Sequence, residues 1–241
     1  MNRFGLIGRN ISYSFSENYF EQKFKTEKIE DCNYSIFDLD EISDVKKLFE
    51  IRELKGLNVT IPYKEKIIPF LDELSSESKT IGAVNCIGID NGIKTGYNTD
   101  AFGFENSLKT FLDDFDLNAL ILGDGGAAKA VKFVLNQMDI SFKTVSRKGG
   151  NNYSDLNETE IKNHRLIINC TPLGAFPNLD SKPQIPYQFL TSDHYLFDLV
   201  YNPEKTEFLK SGEDRGSKIK NGYEMLQLQA EKSWEIWSAL L

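Results

Sequence analysis

Short apolar runs alternate with stretches whose apolar residues recur every three to four positions along most of the chain. Phe4-Gly5-Leu6-Ile7-Gly8 reads as a first strand, and Glu17 to Lys28 as a helix with Phe20 and Phe24 one turn apart. Tyr34 to Leu39 predicts a second strand, Ile42 to Ile51 a helix, and Leu57 to Ile61 a third strand. The stretch from Lys64 to Leu74 predicts a third helix. Such a βαβαβα order implies a mainly parallel sheet covered by helices.

The texture then changes. Gly82 to Ile89 and Ile93 to Gly96 flank Asp90-Asn91-Gly92, a turn sequence that predicts a hairpin. Phe102 to Leu112 reads as a helix leading into a second unit. That unit opens with the buried-type strand Ala119-Leu120-Ile121-Leu122 and a helix from Gly126 to Met138, with Ala127, Val131, Val134, Leu135 and Met138 on one face. Further strands are expected at Phe142 to Ser146, Leu166 to Cys170 and Leu196 to Val200. Gly149-Gly150-Asn151-Asn152 reads as a flexible loop. Tyr223 to Leu241 reads as a long helix with Leu226, Ala230, Trp234 and Trp237 at helical spacing, the tryptophans serving as core anchors.

Composition narrows the function. A chain of 241 residues makes one large or two small domains. With 40% hydrophobic and 27% charged residues it has the balance of a soluble globular protein. A net charge of −8 argues against broad nucleic-acid binding, which needs a basic footprint, but leaves room for a small basic site for an anionic cofactor. Cys32, Cys86 and Cys170 are scattered, and His164 and His194 lie in no motif. Neither a disulfide framework nor a metal site is therefore expected. The first residues lack the apolar core of a signal peptide, and no apolar run approaches the ~18 residues of a membrane helix. A soluble cytoplasmic protein is the expectation.

Gly123-Asp124-Gly125-Gly126-Ala127-Ala128 matches G-x-G-x-x-A between a predicted strand and a predicted helix. In that setting the glycines let backbone approach a pyrophosphate, and the helix N-terminus offers N–H groups. A tight turn without a ligand is the plainer alternative. NAD sites usually place an acid about 20 residues further on. Here the segment is Val145-Ser146-Arg147-Lys148, with two cations and no acid. Arg147 can grip a 2′-phosphate and stack on adenine, which favours NADP, or can belong to a solvated surface pair. Asp124 is discordant, because a carboxylate repels a pyrophosphate unless it points away.

The opposite half carries polar clusters. Lys64 follows the strand end Asn58-Val59-Thr60-Ile61-Pro62-Tyr63, and Asp100 closes Gly96-Tyr97-Asn98-Thr99. A lysine and an aspartate brought together can move a proton, which with a nucleotide loop suggests a redox enzyme acting on a hydroxyl or carbonyl. Ser14-x-Ser16 can bind a carboxylate or polyol, although Ser14-x-x-Glu17 also reads as a capping box. Asn58 and Thr60 share one side of a strand, or cap its end. Taken singly, Lys64 can be a surface lysine, Asn85 a turn residue and Asp100 a helix cap.

Together these segments resemble the shikimate dehydrogenase family. The likeness rests on Ser14-x-Ser16, Asn58 to Lys64, Ala83-Val84-Asn85, Asn98-Thr99-Asp100 and Gly123 to Ala128, in that order. It continues through Ile168 to Gly174, Asp198-Leu199-Val200-Tyr201 and Asn221 to Ala230, and so spans essentially the whole chain. Each motif alone is weak; in register they are specific. The resemblance implies two α/β domains: residues 1–100 plus 222–241 for substrate, residues 101–221 as a Rossmann-like NADP-binding domain, and the active site in the cleft between them. It implies NADPH-linked reduction of 3-dehydroshikimate to shikimate in aromatic biosynthesis, by a monomer or homodimer. Lys64 and Asp100 would be the catalytic pair. Ser14, Ser16, Asn58, Thr60, Asn85, Asp100, Tyr201 and Gln229 would hold the substrate. Gly123, Gly125, Gly126, Ala127, Ala128, Ser146, Arg147, Lys148, Thr171, Leu199, Gly222 and Met225 would hold NADP.

The chain departs from the family pattern in a few places. Loops after Lys148 are trimmed. Asp124 stands where a small residue is usual, and Ser146-Arg147-Lys148 where Asn-Arg-Thr is common. Cys86 and Ala101 replace a common Thr and Gly. Rival functions are an NAD-using quinate/shikimate dehydrogenase, a non-catalytic NADP-binding sensor and a folate-carrier dehydrogenase. Ser14-x-Ser16 with Arg147 argues against the first, the Lys64 and Asp100 pair against the second, and a polyhydroxy-acid site against the third.

Overall fold

Alternation along the first strand sets the architecture of the first unit. In the computed structural model, which describes residues 1–12, 14–147 and 151–241, β1 (Asn2–Gly8) sends Phe4 and Leu6 to one face of a sheet and Ile7 to the other. The unit comprises Met1–Thr99 with Ala230–Leu241. After β1 come α1 (Phe15–Thr26), β2 (Cys32–Asp38), α2 (Val45–Phe49) and β3 (Leu54–Val59). They are followed by β4 (Glu73–Leu74), α3 (Ser76–Ile81), β5 (Cys86–Asp90) and β6 (Ile93–Tyr97). Sheet order is β2-β1-β3-β5-β6-β4. Pairing is parallel in β2-β1-β3 and in β4-β6, and antiparallel where the β5-β6 hairpin joins β3. The expected hairpin turns on Asn91 and Gly92, both at positive φ.

Each face has its own core. Ile7, Leu57, Val59, Tyr63, Ile67 and Ile87 pack on one side; Phe4, Phe20, Phe24, Tyr34 and Trp237 pack on the other. Trp237 is fully buried, stacks on Phe4 with centroids 4.9 Å apart, and donates Nε1–H to the Ile87 carbonyl at 2.9 Å. Its indole lies so close to β3 that a Cβ on Gly56 would meet Nε1 at 2.2 Å. A glycine is therefore required there.

The helix expected from Lys64 to Leu74 does not form. Turns and a 3₁₀ segment, Ile68–Phe70, occupy the stretch, and Glu73–Leu74 pairs with Thr95 and Gly96 as β4. Pro69 lacks the N–H of a helix interior, and i→i+3 bonds such as Phe70 N to Ile67 O replace the α ladder. The short helix α3 carries no apolar periodicity long enough to read. It is started by Ser75, whose hydroxyl accepts the Ser78 N–H at 3.1 Å.

The second unit is Asp100–Gln229. It holds α4 (Thr99–Phe111), β7 (Ala119–Leu122), α5 (Gly126–Gln137), β8 (Phe142–Val145), α6 (Glu158–Asn163) and β9 (Leu166–Asn169). Then come β10 (Tyr195–Asp198), α7 (Glu207–Glu213), β11 (Lys218–Lys220) and α8 (Tyr223–Ser238), the last running on into the first unit. Its five strands, in the order β11-β10-β9-β7-β8, are all parallel. β7 and β9 are buried along their whole length, which is why they read as unbroken apolar runs. On α5 the buried face is Ala128, Val131, Val134 and Leu135 with Ala130; Ala127 and Met138, expected on it, are half-buried.

Candidate active site

In the first unit, the polar residues of the motifs are built into a connected row. β3 carries Asn58 into the interior, where it is 5% exposed. The Tyr34 hydroxyl on β2 donates to Asn58 Oδ1 at 2.8 Å. Asn58 Nδ2 donates to the Asn85 carbonyl at 3.3 Å and to Ser233 Oγ on α8 at 3.0 Å. Asn85, also buried, accepts the Thr99 N–H at 2.6 Å and donates Nδ2–H to Thr99 Oγ1 at 3.0 Å. Thr99 Oγ1 lies 3.1 Å from Ser233 Oγ. Asn98 donates to the Ala83 carbonyl at 2.9 Å. The row therefore links segments far apart in the chain through short polar side chains, buried and paired as such groups must be.

Lys64 is half-buried, and its backbone is held on both sides. Its carbonyl accepts the Val84 N–H at 2.7 Å, one residue before Asn85. Its neighbour Tyr63 is buried and donates to the Leu39 carbonyl at 2.7 Å. β3 ends at Val59, so Thr60 opens the turn rather than extending the pleat; its N–H donates to the Ile7 carbonyl at 2.9 Å.

The loop before α1 is held by Asp38, whose carboxylate accepts the N–H groups of Asn10 at 2.7 Å and Ile11 at 3.0 Å. Ser14 caps α1, its hydroxyl accepting the Ser16 N–H at 3.3 Å. Ser14 thus caps the helix, but on the second helical N–H rather than as the capping box with Glu17 that Ser14-x-x-Glu17 suggests. Both serines stay partly exposed. The Ser16 hydroxyl also lies by Tyr34, where it opposes the strong upward push that burial gives the phenol pKa.

In the second unit, the positions expected to hold a nucleotide gather at one edge of the sheet. Because all five strands run parallel, Gly123 after β7, Ser146 after β8, Thr171 after β9, Leu199 after β10 and Gly222 after β11 all fall at its carboxyl ends. β7 has β8 on one side and β9 on the other, so the chain reverses its winding there, where open α/β sheets bind ligands. Gly123 has φ +105°, which bars a side chain, and its N–H donates to the Val145 carbonyl at 2.8 Å. Gly125 starts α5 with open space where a Cβ would be and with no side-chain cap on the helix. Gly126, Ala127 and Ala128 form its first turn. Asp124 turns along the helix to an ion pair with Lys132 at 2.6 Å. The cradle fits a dinucleotide phosphate, with the discordant carboxylate neutralised.

Ser146 is nearly buried and Arg147 exposed at the end of β8; Lys148 lies outside the described residues, as do Gly149 and Gly150. Thr171 donates its hydroxyl to Asn169 Oδ1 at 2.6 Å, and Asn169 Nδ2 donates to Asp198 Oδ1 at 2.9 Å. Asp198 is fully buried and also accepts from the Val200 N–H at 3.0 Å and the Thr206 hydroxyl at 2.5 Å. Burial nevertheless pushes its pKa up to about 6, against the lowering by these three donors. Leu199 N–H donates to the Asn169 carbonyl, and Gly222 N–H to the Val200 carbonyl. Tyr201 is half-buried; Met225 is buried on α8, where Gln229 donates its amide to the Leu226 carbonyl at 2.9 Å. Asp100 is 6% exposed in the first turn of α4, where the helix dipole favours a carboxylate.

Tyr34, Ser233, Asp38, Asn169 and Asp198 carry much of this order, yet the sequence singled none of them out for a role. Ser233 left a trace: it interrupts the apolar stripe of Ala230, Trp234 and Trp237. Asn169 and Asp198 did too, as the lone polar residues closing strands that are otherwise apolar.

Fold and loop define an oxidoreductase of the two-unit α/β type that works with a pyridine nucleotide. The family model for the shikimate dehydrogenase substrate binding domain matches residues 6–87. A relative from Clostridium beijerinckii, named shikimate dehydrogenase (NADP(+)), is 39% identical over 98% of this chain and 92% of its own. The crystal structure of shikimate dehydrogenase 1 from Peptoclostridium difficile superposes with a TM-score of 0.89 at 36% identity, covering 100% of this chain and 93% of its own. The Thermus thermophilus enzyme, solved with NADP(H) and shikimate, gives 0.87 at 29% identity over 100% and 95%. The chain belongs to the shikimate dehydrogenase family. Among the described residues no helix is long and apolar enough to cross a membrane.

Proposed function

We propose that this protein catalyses the reversible, NADP-dependent reduction of 3-dehydroshikimate to shikimate. The observation that carries this is the near full-length likeness, at 39% identity, to a relative named for that reaction and cofactor. NADPH, held by the residues named below, would supply hydride to the ketone carbon, and NADP⁺ would take it back in the reverse direction. Lys64 gives a proton to the carbonyl oxygen or stabilises the charge that develops on it. Asp100 orients the same oxygen and holds the lysine in place.

Ser14, Ser16, Asn58, Thr60, Asn85, Tyr201 and Gln229 hold the substrate's carboxylate and hydroxyls. The buried row supports this role, because amides and hydroxyls fixed by their neighbours bind a polyol with little loss of freedom. Gly123 to Ala128, with Ser146, Arg147, Lys148, Thr171, Leu199, Gly222 and Met225, hold NADP. Arg147 meets the 2′-phosphate, supported by its place at the end of β8 and by the lack of an acid there. Residues 1–100 with 222–241 bind the substrate, and 101–221 the cofactor. The protein works in the cytoplasm as a monomer or homodimer, without nucleic acid or membrane partners.

The test follows the near-ultraviolet absorbance of the reduced cofactor with shikimate and NADP⁺, running quinate and NAD⁺ alongside. Turnover with shikimate and NADP⁺ is the expected result. Preference for quinate with NAD⁺ would shift the assignment to a catabolic dehydrogenase. NADP binding without turnover of either acid would shift it to a sensor.

A further inference from the structure

The hydrogens of the Asn58 amide can be fully accounted for. The Asn85 main-chain oxygen is purely an acceptor, so the atom facing it at 3.3 Å must be Nδ2, which fixes the amide's orientation. The second Nδ2–H goes to Ser233 Oγ at 3.0 Å. Both donors are spent inside the protein. Oδ1 accepts from Tyr34 at 2.8 Å and keeps one of its two lone pairs. Since Oδ1 cannot donate, Tyr34 must. Burial holds the phenol protonated well beyond neutral pH, so this direction does not reverse. Hydrogen bonding thus runs one way: Tyr34 to Asn58, Asn58 to the Asn85 carbonyl.

We infer that Tyr34 is a positioning residue whose donated hydroxyl braces the Asn58 amide in the orientation that the Asn85 carbonyl sets, so that Asn58 meets a substrate hydroxyl only as an acceptor. The inference deepens the function proposed above and rests on it for the identity of the substrate. A hydroxyl can satisfy such an acceptor, whereas a keto oxygen or a carboxylate at that position leaves two acceptors facing each other. Asn58 accordingly discriminates for a ring carbon bearing O–H, and against an oxidised one.

Tyr34→Phe tests this, because the ring stack on Phe20, with centroids 4.4 Å apart, survives the loss of the hydroxyl. The expected result is KM for shikimate raised about tenfold, with kcat within about threefold and the NADP⁺ Kd within about twofold. Unchanged KM overturns the inference, as does a parallel change in KM, kcat and cofactor Kd, which would mean general loosening. A second readout needs no turnover. Exchange of the Asn58 side-chain amide protons, followed by NMR, is expected to be slow in the wild type and about tenfold faster in Tyr34→Phe. Equal exchange in both proteins overturns the role of Tyr34. Loss of amide protection when shikimate is added overturns the acceptor-only role of Asn58. Absence of any shikimate oxidation by the wild type would instead remove the proposed substrate, while the exchange comparison still decides whether Tyr34 orders the row.

Discussion

Asp124 and Lys132 are joined by an ion pair of 2.6 Å that runs from the glycine loop into the second turn of α5. The pair is half in solvent, so its contribution to stability is small. Its effect falls on the loop. Lys132→Ala leaves a carboxylate unpaired beside the phosphate cradle, and the NADP⁺ Kd is expected to rise by about threefold to tenfold. The double variant with Asp124→Ala should return close to wild type. Fluorescence titration of the two single variants and the double one checks this; a double variant as weak as Lys132→Ala would assign the effect to the lysine itself.

Lys64→Ala should lower kcat by about 10²- to 10⁴-fold, the usual scale of general acid–base catalysis. The fold should hold, because Lys64 is anchored through its carbonyl to Val84, a bond that alanine keeps. Thermal melting and NADP⁺ titration serve as controls. A variant within a few-fold of wild type in kcat would remove Lys64 from the chemistry.

Ser16→Ala separates two readings of the Ser14-x-Ser16 pair. The cap on α1 uses the Ser16 main-chain N–H, which survives the substitution. Melting temperature should therefore stay put while KM for shikimate rises by about threefold to tenfold. Ser14→Ala should instead destabilise the protein by about 1 kcal/mol through loss of the cap. Steady-state kinetics beside calorimetry distinguishes the two.

For Arg147→Ala, the preference for NADP⁺ over NAD⁺ should fall by about tenfold to a hundredfold, the scale of a hydrogen bond to a charged group. Affinity for NAD⁺ should change little. An unaltered ratio of Kd values would place 2′-phosphate recognition elsewhere.

Asp198 makes stability depend on pH. Its folded pKa, about 6, lies above that of an unfolded aspartate, so the folded state holds the extra proton. The stability this group contributes is full below about pH 4 and is lost as pH rises through 6. Asp198→Asn carries no such charge. Compared with wild type, the variant should gain on the order of 2 kcal/mol between pH 4 and pH 6.5. Urea unfolding at the two pH values reads the difference; parallel behaviour of the two proteins would show that Asp198 does not titrate in this window.

Much of this was legible because cause and effect were local. β7 and β9 are buried on both faces, so Ala119–Leu122 and Leu166–Asn169 announce themselves as apolar runs. The loop from Gly123 to Ala128 follows such a run and opens a helix, so its context could be read along with its pattern. The Asp90-Asn91-Gly92 turn fixed the hairpin in the same way.

What was not legible depends on partners distant in the chain. β4 is two residues long and exists because Thr95 and Gly96 offer it an edge. Pro69 stands inside the stretch from Lys64 to Leu74 that reads as a helix, and it removes an N–H that a helix interior needs. In the site, Tyr34 is one residue of a predicted strand with no local pattern to mark it, and Ser233 interrupts the stripe of Ala230, Trp234 and Trp237. Both take their meaning from Asn58, a residue that no local window containing either of them includes.

The stack of Phe4 on Trp237 also sets an order of events. Everything from Asp100 to Gln229 leaves the ribosome between the two rings. The second unit is continuous and can complete itself as it emerges. The first cannot: its opening strand must wait, one face covered only in part by α1, until the indole arrives to lie across Gly56. During synthesis the nascent sheet is thus a surface for chaperones to guard, and the segment made first is among the last to be sealed.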